Sequence, residues 1–182
     1  MASQDVAARR MGQWLRRIRK VIYLAILGGI ALFVWRYDLF TVPGDYQLLA
    51  PQHIEPGTKL VMQDVDEGTV IGVGTILSYA PPGFDGQCLG VVAGLPGETI
   101  QIAADAAGWV KLVVGGRAER LAVPATHALV EGTIPVDQFL ILNGDRRIMA
   151  EASTDHPDSR RFGLIARSAL RQKVVAPLWG FF

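Results

Sequence analysis

Cysteine is almost absent from this chain. Cys88 stands alone among 182 residues, which excludes an intrachain disulfide and any structural metal held on thiolates. An excess of either charge is lacking too, since 18 Lys and Arg face 17 Asp and Glu, and no surface suited to nucleic acid is encoded. Past Pro43-Gly44 there is no long apolar stripe of 3.6-residue period, no internal repeat and no low-complexity tract, so a helical bundle is not expected there. Asp64, Asp66 and Glu67 form an acidic cluster. They lack the ligand number and spacing of a calcium loop and read as a solvated turn; no metal site and no cofactor is expected. The length suits one domain of ordinary size plus an anchor.

The balanced total hides an asymmetry. Arg9, Arg10, Arg16, Arg17, Arg19 and Lys20 crowd the first twenty residues against one acid, Asp5. Directly after them, Val21 to Trp35 carries no charge, and Trp14 and Trp35 bracket the run as aromatics do at membrane interfaces. These 15 residues fall short of the ~20 that cross a ~30 Å hydrocarbon core, and snorkelling of Lys20 and Arg36 closes the gap. A cleaved signal peptide is the rival, but bulky Phe33, Val34, Trp35 and Arg36 stand where a small-x-small cleavage site is needed. The expectation is a basic cytoplasmic segment at 1–20, a transmembrane helix at 21–36, and an exported domain at 42–182. In a bacterium that is a single pass through the inner membrane with the C-terminal domain in the periplasm. Gly28-Gly29 alone is poor support for helix pairing.

The exported part alternates short β-type runs with Gly, Pro and Asp. Strands are predicted at Lys59–Met62, Thr69–Tyr79, Leu89–Val92, Thr99–Ala103, Trp109–Val114, Arg120–Val123, Phe139–Asn143 and Lys173–Ala176. Turns fall at Glu55-Pro56-Gly57, Asp66-Glu67-Gly68, Pro81-Pro82-Gly83, Leu95-Pro96-Gly97, Gly115-Gly116 and Ile134-Pro135. The fold class is therefore mainly β, a coiled, barrel-like set of antiparallel sheets behind one N-terminal helix. Asp145 to Arg160 is polar and reads as a surface loop.

Two blocks carry a resemblance. Asn143-Gly144-Asp145-Arg146 is followed by Asp158-Ser159-Arg160-Arg161-Phe162-Gly163, and upstream stands Val91-Val92-Ala93-Gly94-Leu95-Pro96-Gly97-Glu98-Thr99-Ile100. In this order, behind one apolar segment, they resemble the Asp-Ser-Arg-x-x-Gly box and the Lys-Arg-Val-x-Gly-x-Pro-Gly-Asp-x-Ile block of the signal peptidase I family. The resemblance covers Val42 to Trp179, with Gly94, Pro96, Gly97, Gly144 and Asp145 as the matched turn residues. It implies a signal-peptidase-like β domain and a bilayer-anchored protein whose partners are exported precursors. The chain's small size, the Pro81-Pro82 turn before Cys88, and Ala176-Pro177-Leu178-Trp179 resemble the TraF-type conjugative transfer peptidases. That branch implies pilin precursors and secretion-apparatus subunits as partners.

The family cuts peptide bonds with a serine just past the membrane, activated by a lysine that opens the second block. A lysine desolvated by its pocket is partly neutral near pH 7 and takes the serine proton. Between Ser3 and Ser78 this chain has no serine. Counting back from Gly57 puts the nucleophile near Leu49, and the block aligns Gly90 with the lysine and Val91 with the arginine after it. Of the hydroxyl and imidazole groups near that loop, Thr41, Tyr46 and His53, only Thr41 is retained as a candidate displaced nucleophile. Asp158, Ser159 and Arg160 match residues that buttress the dyad in the family, while Arg146-Arg147 replaces the usual Asn-Arg. Three functions follow: a peptide-binding signal-peptidase-like protein without its dyad, an active endopeptidase with a displaced nucleophile, and a single-span structural subunit of a secretion or membrane complex.

Overall fold

The structure is a computed structural model that describes residues 2–42, 54–104, 109–123, 127–143 and 158–178. The chain divides into two units, Met1–Asp38 and Leu39–Phe182. The first is one helix, α1 (Ala2–Arg36). It begins well before the uncharged run, because Arg, Lys, Gln and Ala in the preceding segment all favour helix. The part from Trp14 to Arg36 is apolar enough for a membrane anchor or a signal sequence, and its 23 residues extend about 34 Å at ~1.5 Å per residue. Arg19 lies one turn before Tyr23, donating from Nε to the phenol oxygen at 3.1 Å.

The second unit is mainly β, as the alternation of short apolar runs predicts. Its strands are β1 (Asp38–Thr41), β2 (Lys59–Asp64), β3 (Ile76–Tyr79), β4 (Cys88–Gly94), β5 (Thr99–Ala104), β6 (Trp109–Val114), β7 (Arg117–Ala122), β8 (Gly132–Thr133), β9 (Gln138–Leu142), β10 (Ile165–Ala166) and β11 (Leu170–Leu178). One sheet has the order β1-β2-β11-β3-β4-β9-β10 and the other β7-β6-β5-β8. A four-residue helix, α2 (Ser159–Phe162), precedes β10.

Strand β4 is buried at every residue. Leu89 and Val91 pack on one face with Leu60, Met62 and Ile76. Cys88 and Val92 pack on the other with Leu77, Tyr79 and Ile141. Beyond them Ala93 joins Leu140, Leu142, Leu112 and Val114 in the cluster between the two sheets.

The predicted Pro-Gly breaks are type II-like turns. At Leu95-Pro96-Gly97-Glu98 the Glu98 amide donates to the Leu95 carbonyl at 3.1 Å and Gly97 has φ +84°; Pro presets the second position and Gly takes the positive φ of the third. Gly115-Gly116 joins β6 to β7 with φ positive at both residues, as a two-residue hairpin requires. That turn extends β7 back to Arg117, ahead of the predicted start at Arg120.

Two expectations are corrected. Of Thr69–Tyr79, only Ile76–Tyr79 is strand. The stretch Gly72-Val73-Gly74 breaks the run: Gly74 has φ +83° and the Thr75 amide turns back to the Gly72 carbonyl at 3.1 Å. Asp158 to Arg160 is not surface loop, for Asp158 and Ser159 are fully buried and Arg160 is 2% exposed. Polarity misleads there because these side chains satisfy one another and the backbone inside the core. Residues 144–157 of the predicted loop lie outside the described residues.

Candidate functional site

Strand β9 pairs with β4 along one edge and with β10 along the other, but β10 reaches only Gln138 and Phe139. The amides of Ile141 and Asn143 therefore need acceptors. Ser159 Oγ accepts from Ile141 N at 2.9 Å and Asp158 Oδ2 accepts from Asn143 N at 2.7 Å. Two consecutive side chains thus take the place of the strand that β10 does not extend to provide.

Asp158 also caps α2, its Oδ1 accepting from the Arg160 amide at 2.9 Å. The Arg160 guanidinium closes the unit. Nε donates to both carboxylate oxygens at 3.0 Å, and Nη2 donates to Oδ2 at 2.8 Å. Its third nitrogen, Nη1, donates to the Ala122 carbonyl at the end of β7, at 3.0 Å. The Arg160 carbonyl accepts from Ala128 N at 2.8 Å. The Asp-Ser-Arg box is thus a buried clasp that ties β9 in one sheet to β7 in the other. Gly163 ends the helix at φ +74°, where a Cβ would stand 3.3 Å from the Ala128 carbonyl oxygen.

Gly90 is opposite Leu77 in β3. A Cβ added to it would lie 2.6 Å from Ile141 Cγ2, 3.1 Å from Tyr79 Cε1 and 3.3 Å from the Leu142 carbonyl oxygen. The position aligned with the family's lysine is therefore filled by its neighbours, two residues from the Cys88 thiol. That thiol is fully buried, and burial first, then the Asp158 charge, push it up to about 11. It is neutral at physiological pH and shielded, so it offers no thiolate nucleophile.

The turn block is held by a second ion pair. Glu98 Oε2 accepts from Leu95 N at 2.8 Å, and Arg117 donates to both Glu98 oxygens at 2.9 and 2.8 Å. Hydrogen bonding from Arg117 lowers the Glu98 carboxyl below its usual value. Arg117 Nη2 also reaches the Ala93 carbonyl at 3.1 Å, so the hairpin β6–β7 is fastened to the end of β4. Gly94 belongs to the same junction: a Cβ there would meet Ile134 Cδ1 at 2.7 Å and Val114 Cγ1 at 2.8 Å.

Thr41, the candidate displaced nucleophile, is exposed at the end of edge strand β1. Its hydroxyl hydrogen-bonds no lysine or histidine among the described residues. Leu49, Tyr46, His53, Gly144, Asp145, Arg146 and Arg147 lie outside the described residues. Ser78, buried in β3, accepts from Gln87 Nε2 at 2.7 Å and from Gln172 N at 3.2 Å. In the acidic cluster, Asp66 Oδ1 accepts from Thr69 Oγ1 at 2.6 Å and Asp64 Oδ1 from Gln172 Nε2 at 3.0 Å. Among the described residues no three His, Cys, Asp or Glu side chains converge as metal ligands.

The sequence motifs mark the box and the turn but not the roles of Glu98, Arg117 and Arg167. Arg167 Nη2 donates to the carbonyls of Asp66, Glu67 and Thr69, each at 3.0 Å. Those partners are about a hundred residues away in sequence, so no local pattern announces them.

No known family's profile matches the chain, and no curated protein matches it. Among solved structures it is similar to a crystal structure of a signal peptidase I from Enterococcus faecalis V583. The two are 19% identical over 56% of this chain and 94% of that one, with a TM-score of 0.36.

Proposed function

We propose that this chain is a membrane-anchored, signal-peptidase-like protein that binds exported precursor chains without cutting them. The observation that carries the proposal is the packing at Gly90. The family's general base belongs there, yet even a methyl group would press against Ile141 and Tyr79. The box that resembles the family's Asp-Ser-Arg motif is meanwhile intact as a clasp between sheets, which supports a retained scaffold. The helix α1 is the anchor, its basic N-terminal part in the cytoplasm and the β unit in the periplasm. A precursor is an extended chain, and it would be taken up by adding as a strand along the strands beside the loop Thr41 to Pro51. Pilin precursors of a conjugative apparatus are the cargo suggested by the TraF-type details of the sequence.

The test is cleavage and binding of a precursor peptide panel by the purified full-length chain, beside a Thr41→Ala variant. Saturable binding with no product from either protein is expected. Product from the native chain that disappears in Thr41→Ala would overturn the proposal and make Thr41 the nucleophile.

A further inference from the structure

We infer that the two turns of α1 preceding its uncharged run form a docking surface for anionic phospholipid headgroups, an inference that rests on α1 being a membrane anchor. Arg16, Arg17, Arg19 and Lys20 supply four cations within five residues, and all four are exposed. At about 100° per residue they fill one arc of roughly 160°, whereas Trp14, Leu15 and Ile18 share the remaining face within about 100°. The segment therefore gathers its cations on one side of the helix, where several can meet neighbouring headgroups at once.

Depth decides what the cations meet. From Arg16 to Lys20 the helix rises about 6 Å, close to the ~5–7 Å thickness of one headgroup layer. The uncharged run that follows, Val21 to Trp35, extends only about 22 Å. A hydrocarbon core of ~30 Å is longer than that, so the mismatch draws the basic end inward to the phosphates instead of leaving it in water. Arg19 is already oriented by its bond to Tyr23 and lies 5.4 Å from that ring's centroid, which holds a guanidinium at the edge of the apolar run. Asp5 is the one acid among the first twenty residues, so the segment carries a net positive charge.

The test uses the full-length chain in mixed micelles with equal phosphatidylglycerol and phosphatidylcholine, reading bound lipid by native mass spectrometry. Each cation near an anionic lipid surface contributes roughly fivefold. Four of them, partly redundant, should favour phosphatidylglycerol by at least about tenfold. The combined variant Arg16→Gln, Arg17→Gln, Arg19→Gln and Lys20→Gln should bring the two lipids within about twofold of each other, while Arg16→Lys with Arg17→Lys and Arg19→Lys keeps most of the preference. Equal binding of both lipids by the native chain, or a preference that survives in the glutamine variant, overturns the inference. The anchor itself is read separately, by flotation with phosphatidylcholine vesicles after an alkaline carbonate wash. Loss of the chain from those vesicles sinks the anchor, and the micelle comparison still decides the lipid preference.

Discussion

Replacing Gly90 with alanine is the smallest change that tests whether the fold leaves room for a side chain at that position. The added Cβ would sit 2.6 Å from Ile141 Cγ2, a branch methyl fixed at Cβ, and 3.1 Å from the Tyr79 ring. Neither is the far end of a flexible chain, and both residues are fully buried. Overpacking of this kind costs about 1–3 kcal/mol. Against it stands a gain of ~0.4–1 kcal/mol from the narrower unfolded ensemble of alanine. Gly90 is not among the glycines held at positive φ, so backbone strain adds nothing to the cost. The expected net loss is about 0.5–2 kcal/mol in urea unfolding of the full-length chain, followed by the near-ultraviolet signal of the tyrosines and tryptophans. Ile141→Ala removes the opposing methyl, so in the double variant the clash should vanish and the two changes should couple favourably by about 1 kcal/mol. Gly90→Lys, alone or with Leu49→Ser, should destabilise at least as much and yield no peptidase. A neutral or stabilised Gly90→Ala chain would mean that the site has room, and the packing that carries the proposed function would be gone.

Asp158→Ala leaves Arg160 charged and buried and the Asn143 amide without its acceptor, so a loss of about 3–5 kcal/mol is expected in the same unfolding assay. Ser159→Ala removes only the acceptor for the Ile141 amide and should cost about 1–3 kcal/mol while leaving peptide affinity within twofold. Weaker peptide binding at unchanged stability would instead put Ser159 in the binding site. Glu98 is depressed in the folded state, so its contribution is complete above the usual value of 4.5 and fades as pH falls through the lowered folded value. Glu98→Gln should flatten that part of the stability profile, by no more than about 1 kcal/mol, since the pair is partly exposed. Cys88 should resist a thiol reagent at pH 8 in the native chain and react at once in denaturant; fast native labelling would contradict its burial.

Several strand boundaries are legible from a turn residue. Pro96-Gly97 and Gly115-Gly116 announce their turns because a fixed φ and a positive φ are properties of single residues. The run at Thr69–Tyr79 misleads because its valines and isoleucines look like a buried strand, while Gly72 and Gly74 permit the chain to fold back and leave Val70 83% exposed. The site was legible as identity and not as environment. Asp158-Ser159-Arg160 was found by motif, yet its polarity points to solvent, because the acceptors that β9 needs and the carbonyl at Ala122 are supplied by distant pairing that no window of sequence contains. The close packing at Gly90 was hidden for the same reason, since Ile141 is its neighbour only across the β4–β9 ladder.

The same geometry changes what the Asp-Ser-Arg box can be used to argue. Its carboxylate and hydroxyl hold amides that β10 leaves unpaired, and its guanidinium crosses to the other sheet. Each of those bonds is needed to close the core, whatever chemistry happens beside it, because a buried amide without an acceptor is destabilising. A chain can therefore carry the box for folding alone, and its presence does not argue for a working peptidase. The discriminating positions are those where a reactive group has no structural duty: Thr41 is exposed at the end of β1, and at Gly90 Ile141 and Tyr79 stand close enough to meet an added Cβ. Activity should follow the nucleophile and base, and stability the box. Separate measurements of turnover and unfolding on Thr41→Ala and Ser159→Ala would expose any mixing of the two roles.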